Sequence, residues 1–174
     1  ELYPAIDIRG GRCVRLRQGD YADETVYGDD PVAVAVSFAE AGATWIHVVD
    51  LDAAKSGDPL NRPIIRALTD AVRGAGVQVE TGGGVRSVRD VSELVAAGVA
   101  RAIIGTAAVE QPSLVSEAAS SFPGCVAVGL DARRSVHAAG QLLVPPLRPG
   151  VAQRVVVAKP NLDGLVFVDG ELLT

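Results

Sequence analysis

The chain has 174 residues, 48% of them hydrophobic, with 19 glycines and a formal net charge of −5 at pH 7. This length suits one domain with a sizeable core, or an incomplete larger domain, and the composition is that of a folded α/β protein rather than a disordered one. The acidic charge argues against nucleic acid or an anionic membrane as a partner. No apolar run is long enough to predict a spanning helix, and no signal peptide is apparent, so we expect a cytoplasmic protein with Cys13 and Cys125 reduced.

The first predicted strand ends on an aspartate, Asp7. It is followed by a short hairpin element over 12–16 and a long polar loop over 18–30. Asp30 and Pro31 then predict the start of a helix, because Asp is a favoured N-cap residue and Pro is favoured in the first turn.

Strands and helices alternate along the next hundred residues. Further strands are predicted at 45–50, 77–81, 101–105 and 125–130, with helices at 59–74, 87–97 and 111–120. The last three strands begin every 24 residues, at about 77, 101 and 125, which is typical of βα units with right-handed crossovers. The sequence therefore predicts an α/β fold of the (βα)8 TIM-barrel type. The barrel is expected to be incomplete, because about 250 residues are typical of a whole one.

After residue 133 the pattern changes. Residues 1–133 are predicted to form the N-terminal part of the barrel, with four βα units and a fifth strand, and residues 134–174 an atypical tail. The tail contains two predicted strands, 154–158 and 165–168, and the six residues between them are too few for a helical crossover. A truncated or frameshifted barrel, or a diverged one, would produce this pattern.

Two apolar runs have similar sequences. Each ends on an aspartate, and an arginine follows two residues later. One contains Asp7 and the other contains Asp131. Barrel enzymes place catalytic groups at the carboxyl ends of buried strands, so this pair predicts an acid and a base for proton transfer on a sugar-like substrate. The alternative is that each aspartate only caps the loop or helix that follows it.

Two glycine-containing loops follow consecutive predicted strands. They comprise Gly82, Gly83 and Gly84 after the third strand, and Gly105 and Thr106 after the fourth. Glycine lets a phosphate approach the backbone closely, and a helix N-terminus supplies free N–H groups, so we expect the two loops to bind one phosphate. Arg86 is expected to add an ionic contact. Plain tight turns and a solvated arginine are the alternative.

The second strand contains His47 and ends at Asp50. Between Ile46 and Val48, a lone histidine is more often a packed core residue than a catalyst. Asp50 is a candidate for supporting the site or orienting Arg15. The sequence has no zinc-ligand spacing, no phosphate-binding P-loop and no nucleophile elbow, so it predicts chemistry without a metal or cofactor.

Together these residues resemble the phosphoribosylformimino-aminoimidazole-carboxamide ribotide isomerase family of histidine biosynthesis. The resemblance covers residues 2 to about 133 and is carried by the segments 3–11, 14–16, 47–52, 82–86, 105–107 and 129–131. It implies a (βα)8 barrel with two related halves and two phosphate sites. It also implies an Amadori rearrangement of an aminoaldose to an aminoketose, without metal or cofactor.

The resemblance also implies roles for individual residues. Asp7 is similar to the general base that removes the proton from the sugar C2, and Asp131 to the general acid that assists ring opening. Arg15 resembles a substrate contact of the first loop, and the two glycine loops with Arg86 resemble one phosphate site. The sister cyclase family has Cys-Leu-Asp and a lysine in the first strand, whereas this chain has Ala5-Ile6-Asp7 followed by Ile8 and Arg9.

Other functions stay open beside this one. A dual-substrate isomerase that also rearranges phosphoribosylanthranilate would need the same acid and base. A non-catalytic half-barrel that binds phosphate would self-associate to cover its open sheet edge, whereas a complete barrel is expected to be a monomer. Because the family's sixth loop and second phosphate site are not recognisable after residue 133, the sequence predicts that this chain alone is nearly inactive.

Overall fold

A computed structural model describes residues 2–17, 19–131, 154–158 and 166–169. The strands in these residues are β1 Ala5–Arg9, β2 Arg12–Arg17, β3 Asp20–Gly28, β4 Trp45–Asp50, β5 Gln78–Gly82, β6 Arg101–Ile104, β7 Val126–Asp131, β8 Arg154–Ala158 and β9 Val166–Asp169. The helices in the same residues are α1 Pro31–Glu40, α2 Leu51–Ser56, α3 Arg62–Arg73, α4 Val88–Ala96, α5 Thr106–Glu110 and α6 Pro112–Ser121.

All of these strands belong to one sheet, in the order β3-β2-β1-β4-β5-β6-β7-β8-β9. The run from β1 through β4 to β8 is parallel, and helices connect consecutive strands from β3 to β7 along the chain. Antiparallel pairs form the two ends, with β2 and β3 beside β1 and with β9 beside β8. The mixed α/β fold of partial TIM-barrel type confirms the predicted fold class. The parallel run also brings the carboxyl ends of its strands to one edge.

Local signals in the sequence position the helices. The Asp30 carboxylate caps α1 by accepting hydrogen bonds from the backbone N–H groups of Val32 and Ala33, at 2.9 and 3.2 Å. Ser87 caps α4 by accepting from the N–H of Asp90 at 3.2 Å. Both helix starts confirm the predicted N-caps. The caps are favourable because they satisfy N–H groups that have no partner within the helix.

The structure corrects the prediction of a loop over 18–30, because β3 occupies most of it. β3 pairs antiparallel with β2. Exposed residues occur at both odd- and even-numbered positions of β3, so its sequence shows no alternation of apolar and polar residues. Arg9 ties this hairpin to β1, donating to the Glu24 carboxylate at 2.6 Å and to the Tyr21 carbonyl at 2.9 Å. The strand is therefore held by polar contacts that periodicity does not reveal.

The two tail strands confirm the prediction for that part of the chain. β8 pairs parallel to β7, and β9 pairs antiparallel to β8, as the short connection between them requires. The predicted boundary between 133 and 134 lies outside the described residues.

Alternating side chains divide the sheet into two faces. Ile6 and Ile8 of β1, and Ile46 and Val48 of β4, are buried in the core with apolar side chains of the helices. The opposite face, called the inner face below, carries the intervening residues, among them Asp7. No helix in the described part of the chain is long and apolar enough to cross a membrane.

Candidate active site

Asp7 lies half-buried on the inner face, two residues before the carboxyl end of β1 and in register with Val49 of β4. Burial raises the pKa of its carboxyl group above the ordinary 3.8, although the charges of His47 and Arg15 oppose the shift. A raised pKa makes a carboxylate a stronger base near neutral pH, so Asp7 suits proton abstraction. Arg15 is exposed on β2 and close enough to act on Asp7 electrostatically.

His47 is buried on the inner face and is hydrogen-bonded to a residue of β5. Its Nδ1 lies 2.9 Å from Oε1 of Glu80, and the other carboxylate oxygen of Glu80 accepts a hydrogen bond from Arg101 at 3.0 Å. This arrangement agrees with the expectation of a packed, hydrogen-bonded core histidine. The sequence analysis missed Glu80 and Arg101. The signal that could have identified them is that β5 and β6 each carry a charged residue at an inner-face position.

Asp50 accepts hydrogen bonds from a backbone N–H group and from a side-chain amide at the edge of the candidate site. Its Oδ1 caps α2 by accepting from the N–H of Ala53 at 3.0 Å, and it accepts from the Asn61 amide at 2.7 Å. The same Asn61 nitrogen also donates to Asp52, whose Oδ2 accepts from the N–H of Gly10 at 2.7 Å. These bonds tie the β1–β2 turn to the start of α2, so Asp50 positions the loops above the sheet.

The glycines after β5 are needed for close packing against α2. A Cβ atom at Gly83 would lie 2.2 Å from the carbonyl oxygen of Asp50, and one at Gly84 would lie 2.5 Å from that of Ala53. Both glycines also have positive φ angles, 98° and 69°. Substituting either of them would disturb the fold before it reported on phosphate binding.

The loop after β6 is open by contrast. An added Cβ at Gly105 would meet nothing within 4 Å, and Thr106 is exposed at the start of α5. Because β5 and β6 are neighbours in the sheet, the two glycine loops lie at the carboxyl ends of adjacent strands. Together they form the pair of loops that was predicted to bind phosphate.

Arg86 covers the carboxyl end of α2. Its Nη1 lies 2.7 Å from the position that a Cβ would take at Gly57, the C-cap residue of that helix. A cation is favourable at a helix C-terminus, which accounts for this placement without a ligand. Contact between Arg86 and a phosphate stays a prediction.

Asp131 is the last residue of β7, and its backbone is in register with Ala158 of β8. The sheet places residues from five parallel strands at or near one edge: Asp7, Asp50, Gly82, Gly105 and Asp131. The joint action of the two predicted catalytic aspartates stays a prediction.

Comparison with known proteins matches residues 1–157 to a family model described as histidine biosynthesis protein. A protein from Methylobacterium nodulans is 54% identical over 132 residues, which cover 76% of this chain and 51% of the relative. One from Roseiflexus castenholzii is 49% identical over 138 residues, covering 79% and 57%. One from Bacillus velezensis is 44% identical over 169 residues, covering 97% and 67%.

All three relatives carry the name 1-(5-phosphoribosyl)-5-((5-phosphoribosylamino)methylideneamino) imidazole-4-carboxamide isomerase. The chain spans about half the length of the first two relatives, 51% and 57%. Similarity extends past residue 133, since the family model reaches residue 157.

Proposed function

The chain belongs to the histidine biosynthesis protein family, and from this premise we propose that it is an isomerase. Its substrate is an aminoaldose that bears phosphoribosyl groups, and its product is the aminoketose formed by an Amadori rearrangement. The observation that carries the proposal is the half-buried Asp7 carboxyl on the inner face, with a raised pKa. The names of the relatives support the substrate class.

The proposed reaction needs one base and one acid. Asp131 protonates the ring oxygen as the sugar ring opens, which leaves a double bond between C1 and the amino nitrogen. Asp7 then removes the proton from C2 to form an enolamine. Protonation at C1, with loss of the proton of the C2 hydroxyl, yields the ketose. Positioned acid and base groups each contribute roughly 10²- to 10⁴-fold to such a proton transfer.

One phosphate of the substrate is proposed to bind between the Gly82–Gly84 loop and the loop formed by Gly105 and Thr106. Backbone N–H groups supply the contacts, and the β5–β6 adjacency supports the pairing of the loops. Binding energy from a phosphate remote from C2 positions the sugar for reaction.

An assay of the purified chain with the aminoaldose tests this function. We expect turnover above the rate without protein, and Asp7→Asn to lower it at least about 100-fold because the amide cannot accept the C2 proton. The matched control is Asp70→Asn, which changes an exposed carboxylate paired with Arg73 on α3 and should leave the rate unchanged. Absence of turnover by the unaltered chain, or equal rates for it and Asp7→Asn, would contradict the proposal.

Two expectations from the sequence stay predictions beside this proposal. They are a cytoplasmic location, and self-association if the chain acts as a half-barrel.

A further inference from the structure

Three hydrogen-bonded ionisable side chains form a row across the inner face. His47 of β4 is directly opposite Glu80 of β5, which is directly opposite Arg101 of β6. Their side chains are only 4%, 0% and 11% exposed. Asp7 is in register with Val49, two residues beyond His47, so this ionic row lies one layer below the proposed base.

Glu80 lies between two hydrogen-bonding neighbours, His47 and Arg101. Arg101 donates to Oε2 at 3.0 Å, and its guanidinium lies 4.4 Å from the centre of the Trp45 ring. A guanidinium is always charged and only donates hydrogen bonds, so it stabilises a buried acceptor. The charge of Arg101 thus offsets the cost of burying Glu80.

A carboxylate can only accept hydrogen bonds, so it determines which nitrogen of the neighbouring imidazole carries the proton. Oε1 of Glu80 lies 2.9 Å from Nδ1 of His47, so the hydrogen of this bond belongs to Nδ1. In a neutral imidazole only one nitrogen carries a proton, and the hydrogen bond made by one nitrogen decides the state of the other. The ionic row therefore selects the Nδ1–H tautomer.

We propose that Glu80 is a positioning residue of the candidate active site, which fixes the His47 imidazole in its Nδ1–H form one layer below Asp7. His47 is close enough to Asp7 to act on its carboxyl group electrostatically. Glu80 itself touches neither the substrate nor Asp7 in this role. The effect on turnover rests on the proposed function, whereas the tautomer does not.

Glu80→Gln separates this role from a merely structural one, because it keeps the shape of the side chain. An amide has one accepting oxygen and one donating NH2 group. Arg101 can only donate, so the amide oxygen must face Arg101 and the NH2 group must face His47. Nδ1 of His47 then has to accept, and the proton of the neutral ring moves to Nε2.

The ring nitrogens of His47 report the tautomer in a ¹⁵N spectrum of the histidine-labelled 174-residue chain. The chain has two histidines, so a His47→Gln spectrum assigns the signals. At a pH where a titration series shows the neutral ring, we expect Nδ1–H in the unaltered chain and Nε2–H in Glu80→Gln. Nε2–H in the unaltered chain, or the same tautomer in both proteins, would overturn the proposal.

The matched control is Glu93→Gln on α4. Glu93 also bridges two cations, with Arg89 at 2.9 Å and Arg62 at 3.3 Å, but it lies on the helix surface away from the inner face. This variant should change neither the His47 tautomer nor the rate. A tautomer change in Glu93→Gln would contradict the assignment of the effect to Glu80.

Kinetics of the same variants test the consequence for the reaction. Glu80→Gln should lower kcat about 10- to 100-fold, by analogy with the hydrogen-bond partners of metal-ligating histidines, and should leave KM nearly unchanged. A changed tautomer with unchanged kcat would refute the positioning role. If the unaltered chain shows no turnover, the proposed function fails, and the ¹⁵N spectrum still decides whether Glu80 fixes the tautomer of His47.

Discussion

At the scale of single residues, Asp7 combines a favourable position for proton abstraction with an unfavourable environment for its own charge. Burial raises its pKa, and the charges of His47 and Arg15 compensate only in part. A group whose pKa is higher in the folded state than in the unfolded state stabilises the fold at low pH and loses that contribution as pH rises through the folded pKa. The ionised form of Asp7 therefore costs stability.

Asp7→Asn is accordingly expected to stabilise the fold at neutral pH while it removes the proposed base. Below about pH 3.8, where Asp7 is protonated in both states, the variant and the unaltered chain should differ least. Their difference in unfolding free energy should grow as pH rises toward the folded pKa and then level off. Urea denaturation at a series of pH values measures this. A difference that shrinks with rising pH would show that the pKa of Asp7 is lowered instead.

At the scale of secondary-structure elements, α4 begins with a reciprocal cap. Ser87 accepts from the N–H of Asp90 at 3.2 Å and donates to the Asp90 carboxylate at 2.7 Å, which also accepts from the N–H of Arg86 at 3.1 Å. Burial alone raises the pKa of Asp90, but these hydrogen bonds and the charge of Arg62 hold it below the ordinary 3.8. The cap thus satisfies N–H groups at the start of the helix.

Ser87→Ala is expected to reduce the free energy of unfolding by about 1 kcal/mol, the usual value of an N-cap side chain. The midpoint of urea denaturation reports the change. Ser37→Ala serves as the control, because the Ser37 hydroxyl is exposed and bonds only the Val34 carbonyl of its own helix. Equal effects of the two substitutions would show that the cap contributes nothing beyond an ordinary surface hydroxyl.

At the scale of the whole molecule, the proposed phosphate site exists only because the sheet places β5 beside β6. Its two loops are more than 20 residues apart in the chain, at Gly82–Gly84 and at Gly105. Gly83 and Gly84 pack closely against the start of α2, whereas Gly105 faces open space. Gly105 is therefore the position in these loops where a Cβ can be added without a steric clash.

Gly105→Val should weaken binding of inorganic phosphate at least about tenfold, because the side chain fills the space where the anion approaches the backbone. Isothermal titration calorimetry of the folded chain measures the affinity. Gly74→Val is the control, since Gly74 also has open space around it and a negative φ angle but lies at the end of α3. Equal affinity in both variants would contradict a phosphate site at this loop.

The sequence by itself determined the α/β class, the parallel order of the βα units and the caps at Asp30 and Ser87. These depend on local periodicity and on hydrogen bonds between residues close in the chain. It also singled out Asp7, because a carboxylate near the end of an apolar strand is visible without tertiary contacts. The short helices α2 and α5 were missed because each is a single turn or little more, without a full amphipathic period.

Only the tertiary structure decided what the polar residues on the strands do. Glu80 and Arg101 are ordinary charged residues in the sequence, and they become a row with His47 only when three strands align in register. The reason is physical: a charge inside a sheet is stabilised by partners on other strands, and their identity depends on strand order and register. Close packing likewise decided the role of Gly83, because the atoms that exclude a side chain there belong to Asp50, 33 positions earlier in the chain.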